Sequence, residues 1–436
     1  MSYPEKVKKI LWDEIHSLSQ SPEQFCKVPE SDFTRKRKLE FEQLLRLQVS
    51  MQTEAMDDEL LNYFSNSTDT ASASALCQQK DKLLPTVFQS LLSRFNDHFP
   101  YVVHADKYRL FGVDGSDFNI FLNPHDSDTY HPPSGQSKRG FNSLQIVALY
   151  DLLNRRYVDC IVQPGRNKNE FRAICDLADK YTSCGRYIPV FIGDRGFSCF
   201  NFFAHANENN ISFLVRAKDV NIKRLLGLDE LPDFIDTTVD VFLTRTNSKK
   251  KRSRPELSDR YRYISSEVAF DYIKHGSSDE YDLTLRIVRI EVAPSVYENL
   301  ITNIFDVPCE TLKEWYAMRW GIETSFRELK HAIGAVKFHS KKYDFIVMEI
   351  WARLVLYNFC SIITSHVIIK KKDLKYPYQV NYSRAIKICI KFIKLKEGDP
   401  PLDVIGLIGK YSLPIRTGRR FERRHRFQAA ASFCYR

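Results

Sequence analysis

The segment Trp315-Tyr-Ala-Met-Arg-Trp-Gly-Ile-Glu-Thr-Ser-Phe-Arg-Glu-Leu-Lys330 decides how this chain is read. Laid on a helix at about 100° per residue with Tyr316 as origin, Arg319 falls at about −60°, Glu323 at about −20° and Lys330 at about −40°. Four polar side chains thus share one narrow stripe. Trp315, Ile322, Phe326 and Leu329 collect between about −80° and −140°, an apolar stripe suited to a core. Core packing accounts for the second stripe and leaves the ionisable one without a structural need. The plain alternative is a solvated face carrying an i,i+4 Arg319–Glu323 pair, worth only a few tenths of a kcal/mol. The helix is expected to run from Val307 to Lys330, with Pro308 in its first turn and Glu310 near the positive end of its dipole.

Two more carboxylates sit where strands should end. Asp114 lies in Leu110-Phe-Gly-Val-Asp-Gly-Ser116, at the head of an apolar strand whose glycines would let a ligand come close. Asp194 lies in Val190-Phe-Ile-Gly-Asp-Arg-Gly-Phe197, where a buried strand opens into a turn and helix. Either aspartate alone reads as a surface-turn residue. Together with Glu323 they can converge at one sheet edge. Oxygen-only donors of this kind suit Mg²⁺, with Mn²⁺ as substitute. Two such ions about 4 Å apart would activate an attacking hydroxyl and stabilise the leaving oxygen of a phosphodiester. Asp117 points to the opposite strand face from Asp114 and is left out. His104, His125 and His131 match no ligand spacing.

The pattern Tyr316-x-x-Arg319-x-x-x-Glu323-x-x-x-x-x-x-Lys330 resembles the signature of the DDE transposases of bacterial insertion sequences, in the large family founded on insertion sequence four. Asp114 in Val-Asp-Gly-Ser and Asp194 in Gly-Asp-Arg-Gly-Phe match its first two catalytic aspartates, and the likeness runs from about Phe33 to the end of the chain. The resemblance implies a ribonuclease-H-like core split by a β-rich insertion. It makes Asp114, Asp194 and Glu323 the catalytic residues and the ligands of two Mg²⁺ ions. Tyr316, Arg319, Lys330 and Arg195 would be DNA contacts. Water would free a 3′-hydroxyl at the element's end; in cut-and-paste members that hydroxyl forms a hairpin, reopened before transfer to target DNA. The implied partners are double-stranded DNA (terminal inverted repeats and target) and a second copy of the chain, since an element has two ends. The implied location is the bacterial cytoplasm, at the nucleoid when DNA is bound. A nuclease of the same fold without strand transfer, and a domesticated or inactive DNA-binding derivative, are the rival functions. The insertion has no Trp, so Tyr261, Tyr263, Phe270 and Tyr272 stand as substitutes for stacking a flipped base. Gln78 and Gln79 stand where relatives carry more basic residues.

Composition sets the frame for this. The 436 residues carry 64 Lys+Arg against 54 Asp+Glu, a formal charge of +10 that points toward a polyanion. A hydrophobic fraction of 43% with 13% aromatics excludes a disordered chain. Ten cysteines without a C-x-x-C pair argue against a disulfide framework and against tetrahedral zinc. The start, MSYPEKVKKILWDEIHS, has charges where a signal peptide needs apolar residues. Ile350 to Ile369 is mostly apolar but carries Arg353, Asn358 and His366, so it reads as a buried helix and not a membrane span. A soluble, cytoplasmic α/β protein is expected.

Five regions follow from the change of period along the chain: a helical region 1–105 that binds DNA ends, a first core part 106–218, a β-rich insertion 219–305, a second core part 306–365 with the Glu323 helix, and a basic region 366–436. In the first, Ser31-Asp32 should open a helix running through Phe33-Thr-Arg-Lys-Arg-Lys38 to Leu47. Two basic runs are candidate phosphate contacts: Lys249, Lys250, Lys251, Arg252 and Arg254 in the insertion, and Arg416, Arg419, Arg420, Arg423, Arg424, Arg426 and Arg436 in the tail.

Overall fold

Helix α1 (Tyr3–Ser19) begins at a capping box, Ser2 and Glu5 each bonding the other's backbone, with Val7, Leu11, Ile15 and Leu18 spaced to bury one face. It leads α2 (Phe41–Ser50), α3 (Met56–Tyr63), α4 (Ala73–Lys80) and α5 (Thr86–Asp97). The computed structural model describes residues 1–134, 139–181, 185–248, 252–369 and 376–416. The expected helix from Ser31 is corrected: α2 starts only at Phe41, after a Glu40–Gln43 capping box. Asp32 accepts instead from the upstream Val28 N–H, and Phe33 takes φ 54°, which breaks any helical run. Arg35, Lys36 and Arg37 therefore lie on an exposed loop.

The chain then forms β1 (Tyr108–Ile120), β2 (Tyr130–His131), β3 (Phe141–Asp151), β4 (Arg156–Pro164), α6 (Glu170–Lys180), β5 (Ile188–Gly193), α7 (Phe200–Glu208) and β6 (Ser212–Ala217). Next come α8 (Asp219–Leu226), β7 (Ile235–Thr244), β8 (Tyr261–Tyr263), β9 (Glu280–Ala293) and β10 (Val296–Thr302). The remainder is α9 (Cys309–Met318), α10 (Trp320–His331), α11 (Tyr343–Ser365), α12 (Tyr382–Lys394) and α13 (Val404–Lys410).

Among the described residues ten strands form one mixed sheet in the order β2-β3-β1-β5-β6-β10-β9-β7-β8, with β4 also on β3. β4, β3 and β1 make an antiparallel meander; β5 joins β1 in parallel and β6 joins β5 in parallel. β10 then pairs antiparallel with β6, so the strands of residues 235–302 continue the same sheet. The α/β class expected above is what forms.

Period-two alternation along β1 sends Phe111 and Val113 into a cluster with α6 and α7, while Leu110 faces Trp315 and Tyr316 of α9. α10, α11 and the N-terminal helices share the largest cluster with Ile146, Ala148 and Tyr150 of β3. α11 is apolar and long enough to cross a membrane, yet its apolar window is wholly buried inside the protein, in keeping with the buried helix expected there. The eight described cysteines are free.

Candidate active site

The parallel register of β1 and β5 pairs Val113 with Gly193. Asp114, the next residue of β1, and Asp194, the first residue after β5, therefore follow a directly paired couple at one level of the sheet. Asp194 ends its strand: its Oδ1 accepts the Gly196 N–H at 2.7 Å and caps the short turn Arg195–Phe197. Asp114 is mid-strand, opposite Ala148, and its Oδ1 accepts its neighbour Gly115 N–H at 2.8 Å. Glu323 reaches the same place from the helical layer. A Cβ on Gly112 would come within 3.3 Å of the Ile322 Cβ, so the missing side chain lets α10 lie directly on β1 two residues from Asp114. The glycines near Asp114 thus admit protein and not a ligand, which corrects the reading of that strand; Gly115 is likewise closed over by Glu170 and Gln145.

The expected continuous helix is also corrected. Pro308 caps α9, which stops at Met318, and α10 starts at Trp320. The junction tightens to i→i−3 bonds, Arg319 N–H to Tyr316 C=O and Ile322 N–H to Arg319 C=O, both 3.1 Å. Arg319 at this joint is buried and turns inward. Its Nη2 donates to Glu323 Oε1 at 2.7 Å and its Nη1 stands 3.7 Å from Asp114 Oδ2. One guanidinium thus spans two of the three acids. Burial pushes the Asp114 carboxyl up to about 6; the Gly115 N–H and Arg319 oppose that shift, and the charges of Asp194 and Glu323 add to it. The Asp114 carboxylate therefore feels both of the other acids.

Residues 106–359, more than half of the chain, match the family model of the transposase DDE domain. The chain belongs to the DDE transposase family. No curated protein matches it. The match spans all three acids, and family membership brings with it a DNA substrate and a general use of divalent metal ions.

The acids of this DDE transposase fit such ions in kind: all donors are oxygens, and their mutual repulsion is what a cation relieves. Among the described residues no group of three or more His, Cys, Asp or Glu is gathered at ligating distance, and Arg319 supplies the positive charge between Asp114 and Glu323.

The other candidate residues divide. Tyr316 is buried against the sheet, where burial raises its phenol pKa. Lys330 sits over the Phe118 ring at 4.7 Å, further along β1, with burial lowering its pKa and Asp117 opposing that. Asp117 is exposed and pairs with Lys168, as suits its omission. Arg195 is exposed beside Asp194. Of the aromatic residues suggested for stacking, Tyr261 and Phe270 are buried, Tyr272 is part-buried and Tyr263 is exposed. Arg252 lies over the Tyr261 ring and Arg254 pairs with Asp282, while Lys249, Lys250 and Lys251 fall outside the described residues. In the tail Arg416 is described, over the Tyr376 ring; Arg419, Arg420, Arg423, Arg424, Arg426 and Arg436 fall outside. Sequence reasoning missed Trp320, whose half-exposed indole lies 5.1 Å from the Arg319 guanidinium. A signal was available, since at about 40° on the helical wheel this Trp falls off the apolar stripe.

Proposed function

We propose that this DDE transposase cuts the ends of an insertion sequence of the family founded on insertion sequence four and joins them to target DNA. The observation that carries this reading is the meeting of Asp114, Glu323 and Arg319 where α10 crosses β1 at Gly112, with Asp194 level with Asp114 on the next strand. The strand order β4-β3-β1-β5-β6 supports a ribonuclease-H-like core, antiparallel on one side of β1 and parallel on the other. Asp114, Asp194 and Glu323 would hold two Mg²⁺ ions, which supply a more acidic attacking hydroxyl and charge stabilisation on the phosphodiester. The chain's own part is positional. Arg319 moves its guanidinium from the acids to a phosphate oxygen, for which a planar cation with paired N–H donors is suited. Lys330 and the exposed Arg195 hold the backbone on either side, and such contacts set position and not sequence.

The five regions are read in the same light. The helices of 1–105, with the exposed Arg35–Arg37 loop, bind the element's ends. The region 219–305 extends the sheet beside the core halves 106–218 and 306–365, and 366–436 adds basic surface. A dimer is the working unit, because two ends must be joined.

The test is a supercoiled plasmid carrying the DNA that flanks this reading frame, incubated with Mg²⁺. Segment release by the parent protein, none by Asp194→Ala or Glu323→Gln, and unchanged end binding by Glu323→Gln are expected. Cleavage by Glu323→Gln would refute the assignment of the acids. Binding without any cut, in Mg²⁺ or Mn²⁺, would favour a DNA-binding derivative.

A further inference from the structure

The Arg319 guanidinium is unusual in where its bonds go. Its side chain is 8% exposed, and it engages Glu323 at 2.7 Å and Asp114 at 3.7 Å, while its Nε is buried and meets no acceptor among the described residues. Arg46, Arg155, Arg252, Arg262 and Arg289 also leave Nε without an acceptor among the described residues, so what sets Arg319 apart is its place between two carboxylates. The guanidinium is thus shared between two acids that repel each other, Nη2 bonded to Glu323 and Nη1 in ionic contact with Asp114, while Nε–H is left without an acceptor.

We propose that Arg319 is a resident counter-ion that a divalent cation must displace from between Asp114 and Glu323. The proposal rests on the metal-site reading above and adds an order of events to it. A cation within about 4 Å of a guanidinium in a poorly solvated site is repelled strongly, so the two do not share these carboxylates. Arg319 therefore lowers the site's affinity for metal until another anion takes its fork. A DNA phosphate is such an anion, and the idle Nε–H completes the planar donor set for it. The protein without DNA is in this way held short of a loaded nuclease centre. The half-exposed Trp320 ring lies 5.1 Å from the guanidinium.

The experiment is a titration of the full chain with Mn²⁺ alone, read by the electron paramagnetic resonance signal of the free ion. Parent, Arg319→Gln, Arg319→Met and Arg319→Lys are compared, with Asp114→Asn and Glu323→Gln as site controls and a thermal melt in chelator as the check of folding. Loss of the charge in Arg319→Gln or Arg319→Met is expected to tighten Mn²⁺ binding at least about tenfold. Arg319→Lys, which keeps a cation, stays within about threefold of the parent. If the folded neutral variants bind Mn²⁺ no tighter than the parent while Asp114→Asn abolishes binding, the displacement idea is overturned and the metal site stands. If neither Asp114→Asn nor Glu323→Gln changes Mn²⁺ binding, the metal-site reading fails and the inference falls with it.

Discussion

Asp114 carries the clearest consequence for a single side chain. Its carboxyl titrates at about 6 in the folded protein, raised by burial from an ordinary value of 3.8. The folded state therefore binds a proton between about pH 4 and 6 that the unfolded chain has lost, and stability falls as pH rises through that window. Above pH 6 the whole penalty is present. Asp114→Asn should accordingly be more stable than the parent at pH 7.5 by on the order of 2 kcal/mol, with the difference shrinking as pH falls from 6 toward 4. Urea unfolding in chelator at several pH values measures this. An advantage that persists unchanged at pH 4 would mean that burial of the charge is not its source. The two aspartates differ in place: Asp114 is mid-strand in β1, whereas Asp194 caps the short turn after β5.

At the scale of elements, the site depends on how closely α10 lies on β1. Gly112 makes that approach possible, with an added Cβ meeting Leu152 Cδ2 at 3.0 Å and Ile322 Cβ at 3.3 Å. Gly112→Val should cost about 1 to 3 kcal/mol by overpacking and should push Glu323 away from Asp114. The reading that separates this from plain destabilisation is a Mn²⁺ titration of the folded variant, in which weaker binding is expected; unchanged affinity would show that the helix adapts without moving its acid. The break at Arg319 belongs to this scale too. Propensity and periodicity favour one helix through residues 307–330, and Arg319 stands at the tightened joint between α9 and α10.

Across the whole molecule, the N-terminal helices are tied to the centre by buried charge. Lys80 of α4 bonds Glu349 of α11 at 2.9 Å with both side chains almost fully buried, and His339 and Arg353 also lean on that carboxylate. Burial alone would raise the Glu349 pKa, but Lys80, His339 and Arg353 outweigh it and hold the carboxyl well below the usual range. Removing Lys80 leaves the acid partly compensated, so Lys80→Met should cost about 3 kcal/mol, the low end for breaking a buried pair. Denaturant unfolding measures the cost, and hydrogen exchange locates it: loss of protection should appear in α4 and in α11 together. A cost below about 1 kcal/mol would mean that this buried pair is not what holds the N-terminal helices. On the other flank, β10 pairs with β6, so the region 219–305 is bonded to the central sheet and is not a free appendage.

Much of this was legible before any coordinates. The strand at Asp114 and the buried strand before Asp194 are legible as apolar runs, because β1 up to Val113 and β5 are buried over most of their length. The Trp315, Ile322, Phe326 and Leu329 stripe is buried as its spacing required. The helix sought from Ser31 was not there, since cap-like residues and a basic run cannot reveal that Asp32 bonds backward or that Phe33 adopts positive φ. The break at Arg319 is equally hidden, because residues on both sides of it suit a helix. Sequence by itself singled out three acids as candidates, the basic and aromatic residues around Glu323, and the patterning that builds an α/β sheet. Only the tertiary structure decided that β1 and β5 align Asp114 with Asp194, that Gly112 brings α10 to them, and that Arg319 bridges two of the acids. The reason is physical: period and side-chain chemistry are properties of neighbours along the chain, whereas register, approach distance and the sharing of a buried charge arise between segments far apart in it.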